Sequence, residues 1–171
     1  MTEIKIEKSQ PQDLAAIVAI YNQTIACRHI TSDLAPISVA DRQQWFEFHL
    51  ASERYPIWSV RDQNENIIGW ATLSPFYGRP AYQITAEASF YLDKSAQGYG
   101  IGSKVVEFLQ QQMQPLQLTT LLGFVFKGNP ASVGVLQKCG FEIWGELPNI
   151  ADMQLHKETL LLLGYQVGAD I

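Results

Sequence analysis

The sequence predicts an α+β fold, an α/β sandwich in which helices flank a mostly antiparallel central sheet. Three observations carry this. Apolar periodicity switches repeatedly between about two and about 3.6 residues. The resulting order is β-α-α-β-β-β-α-β-α-β-β, and such mixed order puts helices on the faces of one sheet. No internal repeat, low-complexity tract or long linker divides the chain. At 171 residues and 47% hydrophobic content it can fill one full core, and residues 1–171 are read as one domain.

The elements follow in order. Ile4 and Ile6 alternate with polar neighbours, as a first strand does. After the start signals Pro11 and Asp13, residues Leu14, Ile17, Val18, Tyr21 and Ile25 recur at helical spacing. Residues 38–54 read as a second helix, with Trp45, Phe48 and His49 on one face and Pro56 stopping the pattern. Residues 57–61 and 67–73 are hairpin strands around a polar turn, Asp62 to Asn66. A loop over 74–82 holds two prolines, a glycine and three aromatic residues. Residues 85–92 are the next strand. Residues 102–114 form an amphipathic helix presenting Val105, Val106, Leu109 and Met113, ended near Pro115. Residues 118–126 are almost continuously apolar, as a buried strand is. A short helix over 131–138 stops at Cys139-Gly140-Phe141, where the glycine suits a left-handed end. Strands over 141–147 and 158–165 finish the chain, with a loop over 148–156 between them.

Composition removes several function classes. Twelve basic against seventeen acidic residues leave a net charge of -5, which argues against a general nucleic-acid binder. Two cysteines, Cys27 and Cys139, make at most one bridge and match no zinc spacing. His29 and His156 read as surface or loop residues with no third ligand at metal spacing, so no metal is expected. Residues 1–8 contain no apolar signal region, and no apolar run approaches the roughly 18–20 residues that span a bilayer. The expectation is a cytoplasmic protein with free thiols and no membrane association. Trp58, Trp70 and Trp144 fall in strands and read as core or interface.

The most informative stretch is Gln97-Gly98-Tyr99-Gly100-Ile101-Gly102-Ser103-Lys104, between a strand and a helix. Alternate glycines let the backbone approach a ligand and turn its N–H groups inward. The helix behind them adds the positive end of its dipole, which suits phosphate or pyrophosphate. A helix-capping turn is the competing reading. The Walker spacing fails, because the lysine follows Ser103. The dinucleotide fingerprint fails too, since its third glycine would stand at Ser103 and the loop comes halfway along the chain. A third pattern fits: Gln/Arg-x-x-Gly-x-Gly/Ala, at Gln97, Gly100 and Gly102.

With that pattern the sequence resembles the GNAT acyltransferase superfamily, over nearly the whole chain from Ile4 to Tyr165 and in element order as well as motif. It is most similar to the phosphinothricin/methionine sulfoximine N-acetyltransferase group. The segments that carry the likeness are Ile20-Tyr21-Asn22, Arg79-Pro80-Ala81-Tyr82, Thr85-Ala86-Glu87, Tyr99-Gly100-Ile101-Gly102-Ser103, Asn129-x-x-Ser132 and Gly140-Phe141. The resemblance implies acetyl-CoA as cosubstrate, its pyrophosphate on the loop from Gln97 through Gly98, Tyr99, Gly100, Ile101 and Gly102 to Ser103. It also implies contacts to the pantetheine arm along Phe90, Tyr91 and Leu92, and to coenzyme A at Asn129 and Ser132. Those last two read equally as a helix cap.

An alkylammonium is a poor nucleophile, so acetyl transfer to an amine needs a group that takes its proton. Strand alternation puts Thr85, Glu87, Ser89 and Tyr91 on one face and Ala86, Ala88, Phe90 and Leu92 on the other. Glu87 is thus a carboxylate on a strand's polar side, and the family has its proposed base at this Thr-Ala-Glu motif. An exposed strand glutamate is the other reading. A free glutamate titrates near about 4.3, so base catalysis at neutral pH calls for burial or a relaying water. Phe76, Tyr77, Arg79, Tyr82 and Thr85 are the expected acceptor wall. Arg79 offers a planar fork for a carboxylate or phosphinate, or else a salt bridge. Where members often carry tyrosine, and phosphinothricin enzymes histidine, this chain has Leu136, which cannot donate a proton.

The expected function is N-acetylation of a small amino acid-like amine by direct attack in a ternary complex, in a homodimer by resemblance. Acetylation of a protein N-terminus or lysine, and an inactive coenzyme A sensor, are the rival functions.

Overall fold

A computed structural model describes residues 3–168. Met1 and Thr2, where the stretch read as lacking a signal begins, and residues 169–171 lie outside them. The elements are β1 (Lys5–Lys8), α1 (Leu14–Asn22), α2 (Val39–Ala51), β2 (Ile57–Arg61), β3 (Ile67–Pro75), β4 (Thr85–Leu92), α3 (Ile101–Gln112), β5 (Thr120–Phe126), α4 (Pro130–Lys138), β6 (Glu142–Asp152) and β7 (Lys157–Gln166). Their order is the one the periodicity predicts. No helix among the described residues is long and apolar enough to cross a membrane.

The strands form one seven-stranded sheet in the order β1-β2-β3-β4-β5-β7-β6. Every neighbouring pair is antiparallel except β4 and β5, which run parallel. That parallel ladder pairs Thr85 with Thr120, Ala86 with Leu121 and Glu87 with Leu122, and then ends. Both strands continue past it, so the sheet opens into a wedge at Glu87. The wedge is what positions the site.

Burial alternates along the strands and sorts the helices to two faces. Ala71, Leu73, Ala86 and Leu121 pack with Val105, Val106, Leu109 and Leu136 of α3 and α4. Ile57 and Trp70 pack instead with Leu14, Ile17, Val18 and Phe46 of α1 and α2. Tyr91 packs against that second cluster, and Phe90 and Leu92 against the first. The alternation expected for β4 is therefore the observed one.

Local chemistry sets the helix starts. Ser38 caps α2 through its hydroxyl, which accepts from the Asp41 N–H at 3.1 Å, while the Asp41 carboxylate accepts from the Ser38 N–H at 3.0 Å. Asn129 caps α4, its side-chain oxygen accepting from the Ser132 N–H at 3.2 Å.

Trp45, Phe48 and His49 share a face of α2 as expected, the His49 ring meeting both of the others at 5.0 Å. Phe48 is 48% exposed on that face, and Phe46 enters the core beside His49. One expectation is corrected. Residues 148–152, expected in a loop, belong to β6. Register shifts between Ile143 and Gly145 and between Leu147 and Ala151 absorb Pro148 on this edge strand, where a missing N–H breaks no ladder. Among the tryptophans, Trp58 and Trp70 are core and Trp144 is 43% exposed.

Candidate active site

Two cavities meet at the wedge. The first, about 530 Å³, is floored by Phe90, Tyr91 and Leu92 of β4 and walled by Gln97, Gly98, Gly100, Ile101, Gly102 and Ser103. Asn129 and Ser132 close its far side. Of the residues expected here, Tyr99 is outside the lining and 59% exposed.

Backbone conformation makes this cleft. Gly98 and Gly100 sit at φ +83° and +76°, left-handed positions that cost other residues energy. Gly100 is the N-cap of α3, so no side chain there takes the helix's first amides. Those N–H groups, with the positive end of a 12-residue helix behind them, form an anion receptor. Alongside, the β5-facing edge of β4 beyond Glu87 is released from the ladder, so an extended ligand arm can lie along it. Asn129 caps α4 by accepting from the Ser132 N–H, and both residues also line the cleft.

The second cavity, about 420 Å³, lies mostly on the α1/α2 face and contains Glu87, Ser89 and Tyr91 of β4. Tyr21, Arg42, Trp45 and Trp70 line it too. Burial pushes the Glu87 carboxyl above its ordinary value, because desolvation disfavours the charged form. The Tyr91 phenol is pushed up as well, chiefly by burial, and stays protonated. A small gap in the wedge, lined by Ser89, Tyr91, Phe124, Asn129 and Leu136, joins this cavity to the cleft.

Side chains that the sequence did not mark as site residues shape this second cavity. The Arg42 guanidinium lies over Tyr21 at 4.8 Å and over Trp45 at 5.2 Å. It is 3.4 Å from the Asp33 carboxylate, which also accepts from the Tyr21 hydroxyl. Trp70 is 4% exposed, and its indole N–H has no hydrogen-bond partner among the described residues. A cation and an orphan donor in one cavity suit an anionic group. No local sequence pattern marks them, because α1, α2 and β3 contribute one or two side chains each.

Of the expected acceptor residues, Phe76, Tyr77, Arg79, Tyr82 and Thr85 stand outside this lining. Phe76 stacks on Phe124, a wall residue, at 6.4 Å, and packs edge-on against Tyr77 and Tyr82. Arg79 is exposed and Thr85 half-buried at the base of β4. Leu136 is buried and fills the bottom of the wedge. The Cys139 thiol is pushed up, chiefly by burial, and lies 3.7 Å from the Ser103 carbonyl oxygen, so it is a poor nucleophile. Beside the acceptor cavity the fold supplies what spacing did not: His29 and His156 converge on Glu158.

Comparison with known proteins agrees with this geometry. The family description "Acetyltransferase (GNAT) domain" matches residues 4–142. A Bacillus subtilis protein with a provisional phosphinothricin acetyltransferase name, YwnH, is 38% identical over 160 residues, which is 94% of this chain and 97% of that one. The L-methionine sulfoximine/L-methionine sulfone acetyltransferase of Pseudomonas paraeruginosa is 29% identical over 138 residues, 81% of this chain and 80% of that one. The crystal structure of a GNAT superfamily phosphinothricin acetyltransferase from Sinorhizobium meliloti, in complex with AcCoA, superposes with a TM-score of 0.91 at 24% identity. It covers 98% of this chain and 90% of that one, and the likeness is one of fold. With a family match over most of its length and a relative 38% identical along nearly all of both chains, the chain belongs to the GNAT acetyltransferase family and is an N-acetyltransferase.

Proposed function

We propose that the chain is a single acyltransferase domain that moves acetyl from acetyl-CoA to the amino group of a small, anionic, amino acid-like acceptor. The observation that carries this is Glu87. Its carboxyl is raised by burial and stands where the β4–β5 ladder ends, facing a cavity that also holds Arg42. The named activities of the relatives, on phosphinothricin and on methionine sulfoximine and sulfone, support the same acceptor class.

Acetyl-CoA supplies an activated acetyl thioester; the amine displaces the thiolate, an N–C bond forming as the C–S bond breaks. The α3 amides and the loop hold the pyrophosphate; that a protein of the same fold binds AcCoA supports coenzyme A as the ligand. The freed edge of β4 aligns the pantetheine arm. Glu87 takes one proton from the ammonium, directly or through a water. The second proton leaves with the thiol. Leu136 cannot supply it, and the raised Tyr91 phenol is too weak an acid to give one to a thiolate whose own pKa is about 8.5. The proton therefore passes from the acylated nitrogen. Arg42 and the Trp70 N–H fix the acceptor's anionic group.

A homodimer is part of the proposal. Ile143, Trp144, Leu147 and Ile150 are 43–57% exposed on the edge strand β6, an apolar edge of the kind that pairs. Ile150 and Ala151 also line the acceptor cavity, so pairing there would bring a second copy to its mouth. We also place the protein in the cytoplasm.

Turnover of methionine sulfoximine, methionine sulfone and phosphinothricin, compared with that of peptide N-termini and lysine peptides, tests the acceptor class. The small anionic amines are expected to win. Preference for peptides contradicts the acceptor proposal. Coenzyme A binding with no turnover on any amine favours a sensor, for which Leu136 is the structural argument.

A further inference from the structure

Outside both cavities, three side chains from distant parts of the sequence converge. His29 belongs to the segment between α1 and α2, His156 to the β6–β7 turn, and Glu158 to β7. The Glu158 Oε1 atom lies 2.5 Å from His29 Nδ1 and 2.9 Å from His156 Nε2. The two imidazole rings stack at 4.6 Å. All three ligand atoms fall within 4.8 Å of one another.

We propose that His29 Nδ1, His156 Nε2 and Glu158 Oε1 form a binding site for a divalent transition-metal ion of the zinc class, unrelated to the transfer chemistry. Two imidazole nitrogens and one carboxylate oxygen are the ligand set of zinc, cobalt and nickel, not of magnesium or calcium, which take oxygen. The remaining coordination positions stay open to water.

The surroundings are those of a built site. The Glu158 side chain is 6% exposed, whereas His29 and His156 are 45% and 34% exposed, so the carboxylate is fixed and the imidazoles admit an ion. The Gly128 N–H donates to the second oxygen, Oε2, at 3.3 Å and orients the carboxylate. A Cβ at Gly128 would come within 2.5 Å of Glu158 Oε1 and 2.6 Å of His29 Nδ1, so a side chain there would displace these groups from each other.

Ligand atoms on one tetrahedral zinc sit about 3.3 Å apart at bonds near 2.0–2.1 Å. To accept an ion the His29–Glu158 and His156–Glu158 separations, 2.5 and 2.9 Å, must open by about 0.8 and 0.4 Å, while the two imidazole nitrogens, within 4.8 Å, settle to the same spacing; two part-exposed imidazoles on connecting segments can make these moves. The structural consequence follows from position. His29 adjoins Ile30, which lines both cavities, and Gly128 adjoins Asn129, which lines the cofactor cleft. An ion here would clamp the 24–34 segment to the β6–β7 turn beside the acceptor mouth.

The test titrates EDTA-treated full-length protein with Zn²⁺ by calorimetry and with Co²⁺ by visible absorption. One ion per chain is expected, with a Co²⁺ spectrum lacking any thiolate charge-transfer band. The double variant His29→Gln/His156→Gln, and separately Glu158→Gln, should weaken binding by at least about tenfold while far-UV circular dichroism is unchanged. No binding by the wild-type protein overturns the site. So does a thiolate band, or undiminished affinity in a folded double variant. The wild-type stoichiometry and spectrum decide even if a variant fails to fold.

Discussion

The two halves of the active site are built from different materials. The cofactor cleft is mostly backbone: the left-handed glycines at 98 and 100, the uncapped start of α3 and the freed edge of β4. The acceptor cavity is mostly side chain, with Tyr21 from α1, Arg42 from α2, Trp70 from β3 and Glu87 from β4. A backbone receptor has to be contiguous in sequence, because its N–H groups belong to consecutive residues. A side-chain receptor has no such constraint. The first half binds an invariant chemical group, and the second can be retuned one residue at a time to a different acceptor.

The largest expected effect separates chemistry from binding on the acceptor side. Glu87→Gln should lower kcat by about 10²- to 10⁴-fold, the range of general-base catalysis, with KM for acetyl-CoA nearly unchanged. The same change should raise Tm at pH 7. A carboxyl raised in the folded state holds a proton that the unfolded chain releases, so stability falls as pH rises from the ordinary carboxylate value through the raised one. At neutral pH the ionised Glu87 is therefore a net cost that the amide removes. Thermal denaturation of both proteins at pH 7 checks the sign.

Arg42→Met comes next. Losing a charge-assisted contact worth about 1.5–3 kcal/mol should raise acceptor KM roughly 10- to 100-fold for free amino acids. The penalty should largely vanish for carboxamide analogues, which carry no anion to hold. Arg79→Ala, on the exposed loop outside the cavity, is the paired control and should leave acceptor KM within about twofold if one chain suffices for binding. A larger effect of Arg79 would mean that a second copy completes the acceptor site.

On the cofactor side, Gly100→Val forces a β-branched residue to φ +76°. A left-handed penalty of about 1–2 kcal/mol should raise KM for acetyl-CoA about tenfold, leaving acceptor KM alone. Asn129→Ala should be mildest, losing a helix cap worth about 1 kcal/mol, with about a fivefold rise in KM for acetyl-CoA. Steady-state kinetics with each substrate varied in turn distinguishes the two sides. If Gly100→Val moved acceptor KM as much as cofactor KM, the division between backbone and side-chain halves would fail.

The same division explains what could be read without coordinates. The order of elements, the limits of β2 and β4 and the facing of Glu87 and Tyr91 were legible, because alternation and helical spacing are local patterns. The glycine loop was legible for the reason just given. The shared face of Trp45, Phe48 and His49 was legible as helical spacing, whereas no local pattern marks Phe46 as the core residue of α2. Residues 148–152 read as loop, yet they continue β6, an edge strand whose two register shifts accommodate Pro148. Arg42 and Trp70 carry no local mark; Arg42 reads as an ordinary charged helix residue and Trp70 as core. Glu158 stands two residues from His156 but 129 from His29, so only the fold reveals that the three meet.

The role of the half-buried Glu87 as the base is tested most directly by the pH dependence of kcat/KM. With a saturating anionic amine such as methionine sulfone and acetyl-CoA varied, the wild-type rate should rise with pH through a midpoint above the ordinary carboxylate value of about 4.3. In Glu87→Gln that limb should disappear and the plateau should fall by at least about a hundredfold. A variant that keeps the wild-type limb and plateau would contradict the assignment of Glu87 as the base.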